Sequence, residues 1–184
     1  MFRIALASAL LFAVPAVAAD WSVQADKSRL GFSGVQTGAP FKGSFGTWNA
    51  EINFDPAHPE AGRVKVTVEL ASGRTGDAQH DTALPQGDWF DVKRFPQAVF
   101  EATGFTAKGG NAYTAAGKLT IRGITKDVVL PFTVAVDGDT AQAKGHVDLV
   151  RTAFGVGQGA WSSGEWVALD VGVDFDLVAV KAGG

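Results

Sequence analysis

The stretch WVALDVGVDFDLV, Trp166 to Val178, decides the fold. Val167, Leu169, Val171, Val173, Phe175 and Leu177 share one parity, and Trp166, Ala168, Asp170, Gly172, Asp174 and Asp176 share the other. Successive side chains of a strand point to opposite faces. The stretch therefore presents one apolar face and one face bearing three carboxylates, the mark of a half-buried strand. Fully extended, it would run about 40 Å.

The same alternation recurs upstream. Val128, Leu130, Phe132, Val134 and Val136 mark a strand over Asp127 to Val136, and Val64, Val66, Val68 and Leu70 mark another over Arg63 to Leu70. Trp48, Ala50, Ile52 and Phe54 alternate more weakly, as do Leu119 and Ile121. Lys108-Gly109-Gly110-Asn111, Asp137-Gly138-Asp139 and Arg122-Gly123 are predicted tight turns, because Gly and Asn tolerate positive φ. Asp55-Pro56-Ala57-His58-Pro59 separates two further strands. About eight strands, adjacent in sequence and therefore antiparallel, are expected to close into a barrel. An eight-strand barrel either fills with side chains or holds one small ligand.

One segment breaks the pattern. Gly76 to Gly87 is polar and predicts a short helix, with Asp77 as its N-cap and Pro85 near its end. Asp88 to Pro96 follows with three aromatic rings that need burial, and is expected to lie across a barrel end as a cap.

The N-terminus has a different character. A basic tip at Met1 to Arg3, an apolar run from Ile4 to Val14, and small residues at Ala16 to Ala19 have the form of a secretory signal peptide. Residues 1–19 are assigned to that signal and 20–184 to a single barrel domain in the periplasm. The apolar run is too short to span a bilayer comfortably, and no later stretch qualifies. The chain carries 16 basic and 19 acidic residues, for a formal charge of −3, with no basic run of the kind that binds nucleic acid. It has no cysteine, so thiolate nucleophiles and thiolate metal sites are excluded.

Catalytic motifs are sparse. His58, His80 and His146 fall in a turn, the short helix and a strand, with no metal-ligand spacing between them, so solvated or capping roles are expected. Gly155-Val156-Gly157-Gln158-Gly159 lacks the following helix that a phosphate loop needs, and is expected to be an inter-strand turn. No metal and no obligatory cofactor is expected. The 13 Phe and 5 Trp fit either an aromatic core or an apolar pocket. Ala141, Ala143 and Gly145 share a parity with Val147 and Leu149. These small residues either leave room inside or accommodate facing rings.

The order of several motifs resembles a known family. Trp21-Ser22-Val23, Phe41-Lys42-Gly43-Ser44-Phe45, Trp89-Phe90-Asp91-Val92 with Phe95-Pro96, GKLTIRGITKDVVLPF from Gly117 to Phe132, and Arg151-Thr152-Ala153-Phe154-Gly155 occur in that order. Across nearly the whole mature chain this resembles the YceI-like proteins of the bacterial periplasm. The resemblance implies a lipocalin-like barrel that binds a polyisoprenoid or similar long apolar lipid. It also implies an isoprenoid quinone as a candidate ligand and a membrane b-type cytochrome as a candidate partner. Members often carry an acidic residue where this chain has Ala153, and a more regular segment where it has His80 to Gln86.

Parity and aromatic clustering give the expected lining: Phe32, Phe45, Phe90, Phe100, Leu119, Ile121, Phe132, Val134, Phe154 and Trp161. Arg122 and Arg151 are expected to meet a polar or anionic headgroup. The expected function is binding, sequestration or transport of the lipid rather than catalysis. The alternatives are a filled barrel acting as an interaction or stress-response module, or an accessory to a cytochrome–quinone system.

Overall fold

The computed structural model describes residues 19–182. Apart from Ala19, the expected export signal lies outside the described residues.

Eleven strands form a continuous antiparallel sheet that closes on itself. They amount to eight staves, because the first three staves are each broken once. The first comprises β1 (Ala19–Val23) and β2 (Arg29–Gln36), interrupted by a 3-10 turn at Ala25–Lys27. The second comprises β3 (Ala39–Phe45) and β4 (Trp48–Phe54), and the third β5 (Arg63–Glu69) and β6 (Gly73–Arg74). Five unbroken staves follow: β7 (Gln97–Gly109), β8 (Ala112–Ile121), β9 (Ile124–Asp137), β10 (Thr140–Val150) and β11 (Asp170–Lys181). The β11 strand closes the barrel by pairing with both halves of the first stave, Phe175 opposite Leu30 and Lys181 opposite Trp21.

The turns follow their chemistry. Arg122 and Gly123 both have positive φ (51° and 72°) between β8 and β9, the backbone of a two-residue hairpin whose twist matches its strands. Gly109-Gly110 and Gly138 turn the hairpins before and after it.

The final strand differs from expectation at its start. Trp166 to Leu169 lies outside β11, although Val167 still bridges to Gln36. The carbonyls of Val167 and Ala168 instead accept hydrogen bonds from the Arg151 guanidinium at 2.7 and 2.9 Å. On its other side the segment keeps backbone bonds to the first stave, Thr37 to the Trp166 carbonyl and Ala168 to the Val35 carbonyl, both at 2.9 Å.

The third stave is incomplete. β6 pairs only with β3, and β7 begins at Gln97, opposite Glu69. Beyond the Leu70–Pro96 backbone bond of 2.9 Å, residues 75–96 fill the space between the staves. They begin with helix α1 (Ala78–Ala83), whose N-cap is Asp77, as expected. The Asp77 carboxylate accepts from His80 and Gln79 amides, which holds its pKa below the usual range. Asp81 is lowered likewise, chiefly by the Thr75 amide. The remainder of the segment crosses one end of the barrel as the expected cap.

Candidate functional site

Inward parity builds two apolar clusters. At the end carrying the β7–β8 and β9–β10 hairpins, Trp21, Phe54, Phe105 and Tyr113 are buried and packed with Phe132. Phe54 meets Phe105 and Tyr113 edge-on at 5.6 and 5.3 Å, and Tyr113 stacks on Phe132 at 5.6 Å. Offset and edge-on contacts are the favoured aromatic geometries. The Trp21 indole N–H donates to the Phe54 carbonyl at 3.0 Å, so the buried polar atom of that ring is satisfied. At the opposite end Leu149, Phe154 and Val156 are buried, with Trp89 and Phe90 of the cap packed on them beside Leu119, Ile121, Val128 and Val171.

Between the clusters lies a cavity of about 300 Å³. Phe32, Phe45, Phe90, Phe100, Leu119, Ile121, Phe132, Val134 and Phe154 line it, together with Arg151, the one ionisable side chain in its lining. Ala141 and Ala143 also line it, so small inward residues do leave room there. Gly145 has the other use: a Cβ there would overlap the Phe175 ring of the paired strand.

Trp161 and Arg122 lie outside the lining. Trp161 packs against Trp89 at 5.6 Å, behind the cap. Arg122 is 8% exposed and donates to the carbonyls of Gly87 (2.7 Å) and Trp89. Arg151 is 3% exposed and donates to the carbonyls of Val156, Trp161, Ser163, Val167 and Ala168, while its guanidinium lies 5.4 Å from the Trp89 ring centre. Burial lowers its pKa. Among the described residues neither guanidinium pairs with a carboxylate. The two arginines were expected at a headgroup; their observed bonds fasten the cap and the 151–169 connection. The Asp88 carbonyl adds to this fastening by accepting from the amides of Gly157 and Gln158, both at 2.8 Å.

The lining extends beyond the residues that parity and aromatic clustering single out. Trp21, Phe54, Phe105, Val147, Val173 and Phe175 also line the cavity. His80 departs from its expected solvated role. Its Nε2 bonds Gln36 Oε1, its ring lies 5.0 Å from Phe41, and its Nδ1 is buried with no hydrogen-bond partner among the described residues. His146 sits on the outer face, bonded to Asp174 at 2.7 Å and Asp148 at 3.1 Å, and these bonds raise its pKa. Among the described residues no cluster of His, Asp or Glu is arranged to hold a metal ion, and no helix is long and apolar enough to cross a membrane.

The barrel has known counterparts. A UPF0312 protein of Pseudomonas savastanoi is 30% identical over 97% of this chain and 96% of its own length. BcnA of Burkholderia cenocepacia superposes with a TM-score of 0.84 at 37% identity, covering 86% of this chain and all of BcnA. A polyisoprenoid binding domain from Saccharophagus degradans shares the fold at 15% identity, with a TM-score of 0.72 over 89% of this chain and 99% of that domain. The model of the YceI-like domain matches residues 21–179, and the chain belongs to that family.

Proposed function

We propose that this protein binds a long isoprenoid or similar apolar lipid in its barrel and carries or sequesters it in the periplasm after residues 1–19 are removed. The observation that carries the reading is the cavity, enclosed by apolar side chains and closed over by a cap held largely through backbone hydrogen bonds. The polyisoprenoid-binding domain of the same fold supports it.

The energetics are adequate. A prenyl tail burying about 500 Å² of apolar surface gains roughly 12 kcal/mol at ~25 cal/mol per Å². Association and chain ordering oppose this by several kcal/mol. Micromolar affinity or better is therefore attainable without polar contacts. The lining supports binding rather than catalysis: Arg151, its one ionisable group, already donates to five backbone carbonyls. A quinone is a suitable isoprenoid cargo, and a membrane b-type cytochrome would be a fitting partner for a quinone carrier.

The test is organic extraction of protein purified from its native host without detergent, followed by mass spectrometry. A stoichiometric prenyl lipid is expected. Protein with no extractable lipid, and no affinity for prenols added in solution, would overturn the reading.

A further inference from the structure

A strand that alternates without interruption would aim Phe105 at solvent. On β7 the inward positions are Ala98, Phe100 and Ala102, which leaves residue 105 on the outward parity. The register with β8 shifts between Ala102 and Phe105, a β-bulge that resets the alternation. Bulges of this kind re-aim side chains. After it Phe105 points inward and is 6% exposed.

Two glycines make this arrangement possible. Gly104 occupies the bulge at φ 75°, a conformation that favours glycine, and its amide donates to the Gly62 carbonyl at 2.7 Å. Gly62 lies against the Phe105 ring, and a Cβ there would stand 2.5 Å from it. The backbone is thus shaped on both strands to admit one ring. That ring lines the cavity beside Trp21 and Phe54, whereas Tyr113 of the same cluster does not.

We propose that Phe105 is the chain-length-determining floor of the cavity, the residue against which the distal end of a bound prenyl chain stops. This rests on the reading of the barrel as an isoprenoid binder. The volume gives the floor its importance. About 300 Å³ lies at the low end of the range of roughly 300–1,000 Å³ typical of small-molecule sites. A chain that outgrows this space must leave its surplus at the capped end.

The experiment is a ladder of all-trans prenols differing by one isoprene unit, each competed against a fluorescent farnesyl probe. Wild-type affinity should rise by about tenfold or more per added unit while that unit is buried, then level off at a break. Phe105→Ala should move the break to longer prenols by at least one unit. Phe105→Leu, which keeps most of the apolar volume, should move it less and serves if the alanine variant fails to fold. A break at the same prenol in wild type and the folded variants would overturn the floor assignment and leave the binding function standing. Absence of any prenol binding by wild type would overturn the binding function, and the floor with it.

Discussion

At the aromatic end, Trp21, Phe54, Phe105, Tyr113 and Phe132 interlock between strands whose hydrogen bonds continue to the hairpins. At the capped end the β ladder between the third and fourth staves stops at Glu69–Gln97, and residues 75–96 fill the space. The Arg122 bonds to Gly87 and Trp89, the two bonds to the Asp88 carbonyl, and apolar contacts of Trp89 and Phe90 hold the cap down. Opening the aromatic end would break ladders and expose several rings together. Opening the capped end would break a few hydrogen bonds. Elements with few such ties are drawn from the low-stability part of a fold, so a lipid bound as proposed should exchange on the capped side.

The largest contrast should appear in stability. Phe54→Ala removes a 5%-exposed ring that meets Phe105 and Tyr113, and should cost about 3–5 kcal/mol in denaturant unfolding. Phe90→Ala, in the cap, should cost less than half as much yet release bound lipid. Equal costs would mean that the two ends are equally integral to the fold.

Next is the fastening of the cap. Arg122→Met leaves the Gly87 and Trp89 carbonyls without their donor, worth about 1–3 kcal/mol. Hydrogen exchange should quicken in peptides spanning residues 84–96 and 155–160, with peptides of β8 near Tyr113 unchanged. Uniform quickening across the barrel would contradict a locally opening cap.

Legibility in the sequence follows the same division. The β9 and β11 strands could be read because their alternation is regular, and Gly or Asn marked the hairpins on either side of β8 and between β9 and β10. The cap was legible from Asp77, Pro85 and three clustered rings that required burial. Phe105 was missed because a bulge reverses parity within β7; the isolated Gly104 was the available signal. The arginines were assigned to a ligand because a guanidinium suggests an anion. Their actual acceptors are backbone carbonyls, in the distant cap for Arg122 and in the irregular connection that follows for Arg151, and no local pattern encodes that geometry. The break in the second stave was likewise obscured by the weak alternation from Trp48 to Phe54.

A smaller effect on stability is expected inside the cavity. Leu119→Trp should shift the unfolding midpoint by less than about 1 kcal/mol while displacing lipid. Overpacking a filled core costs about 1–3 kcal/mol, and a loss of that size with lipid content unchanged would show that the barrel is filled at Leu119.

The smallest effect belongs to the outer wall. His146 has a raised folded pKa through Asp174 and Asp148, so its contribution is fully present below its unfolded pKa of about 6.5 and fades as pH rises through the higher folded value. Solvent screening keeps this to a few tenths of a kcal/mol. Wild type should lose that increment as pH rises above about 6.5, His146→Gln should not, and lipid content should be the same in both. A change in lipid content would tie the outer wall to the cavity.

The most direct measurement is a crystal structure of the protein with a bound all-trans prenol. Continuous density for the chain should run from beneath Trp89 and Phe90, past Leu119 and Phe100, and end at Phe105, with the rings of Phe54 and Tyr113 unmoved. A chain lying on the outer wall, or one that entered by parting the aromatic end while the cap stayed fastened by Arg122, would contradict the account.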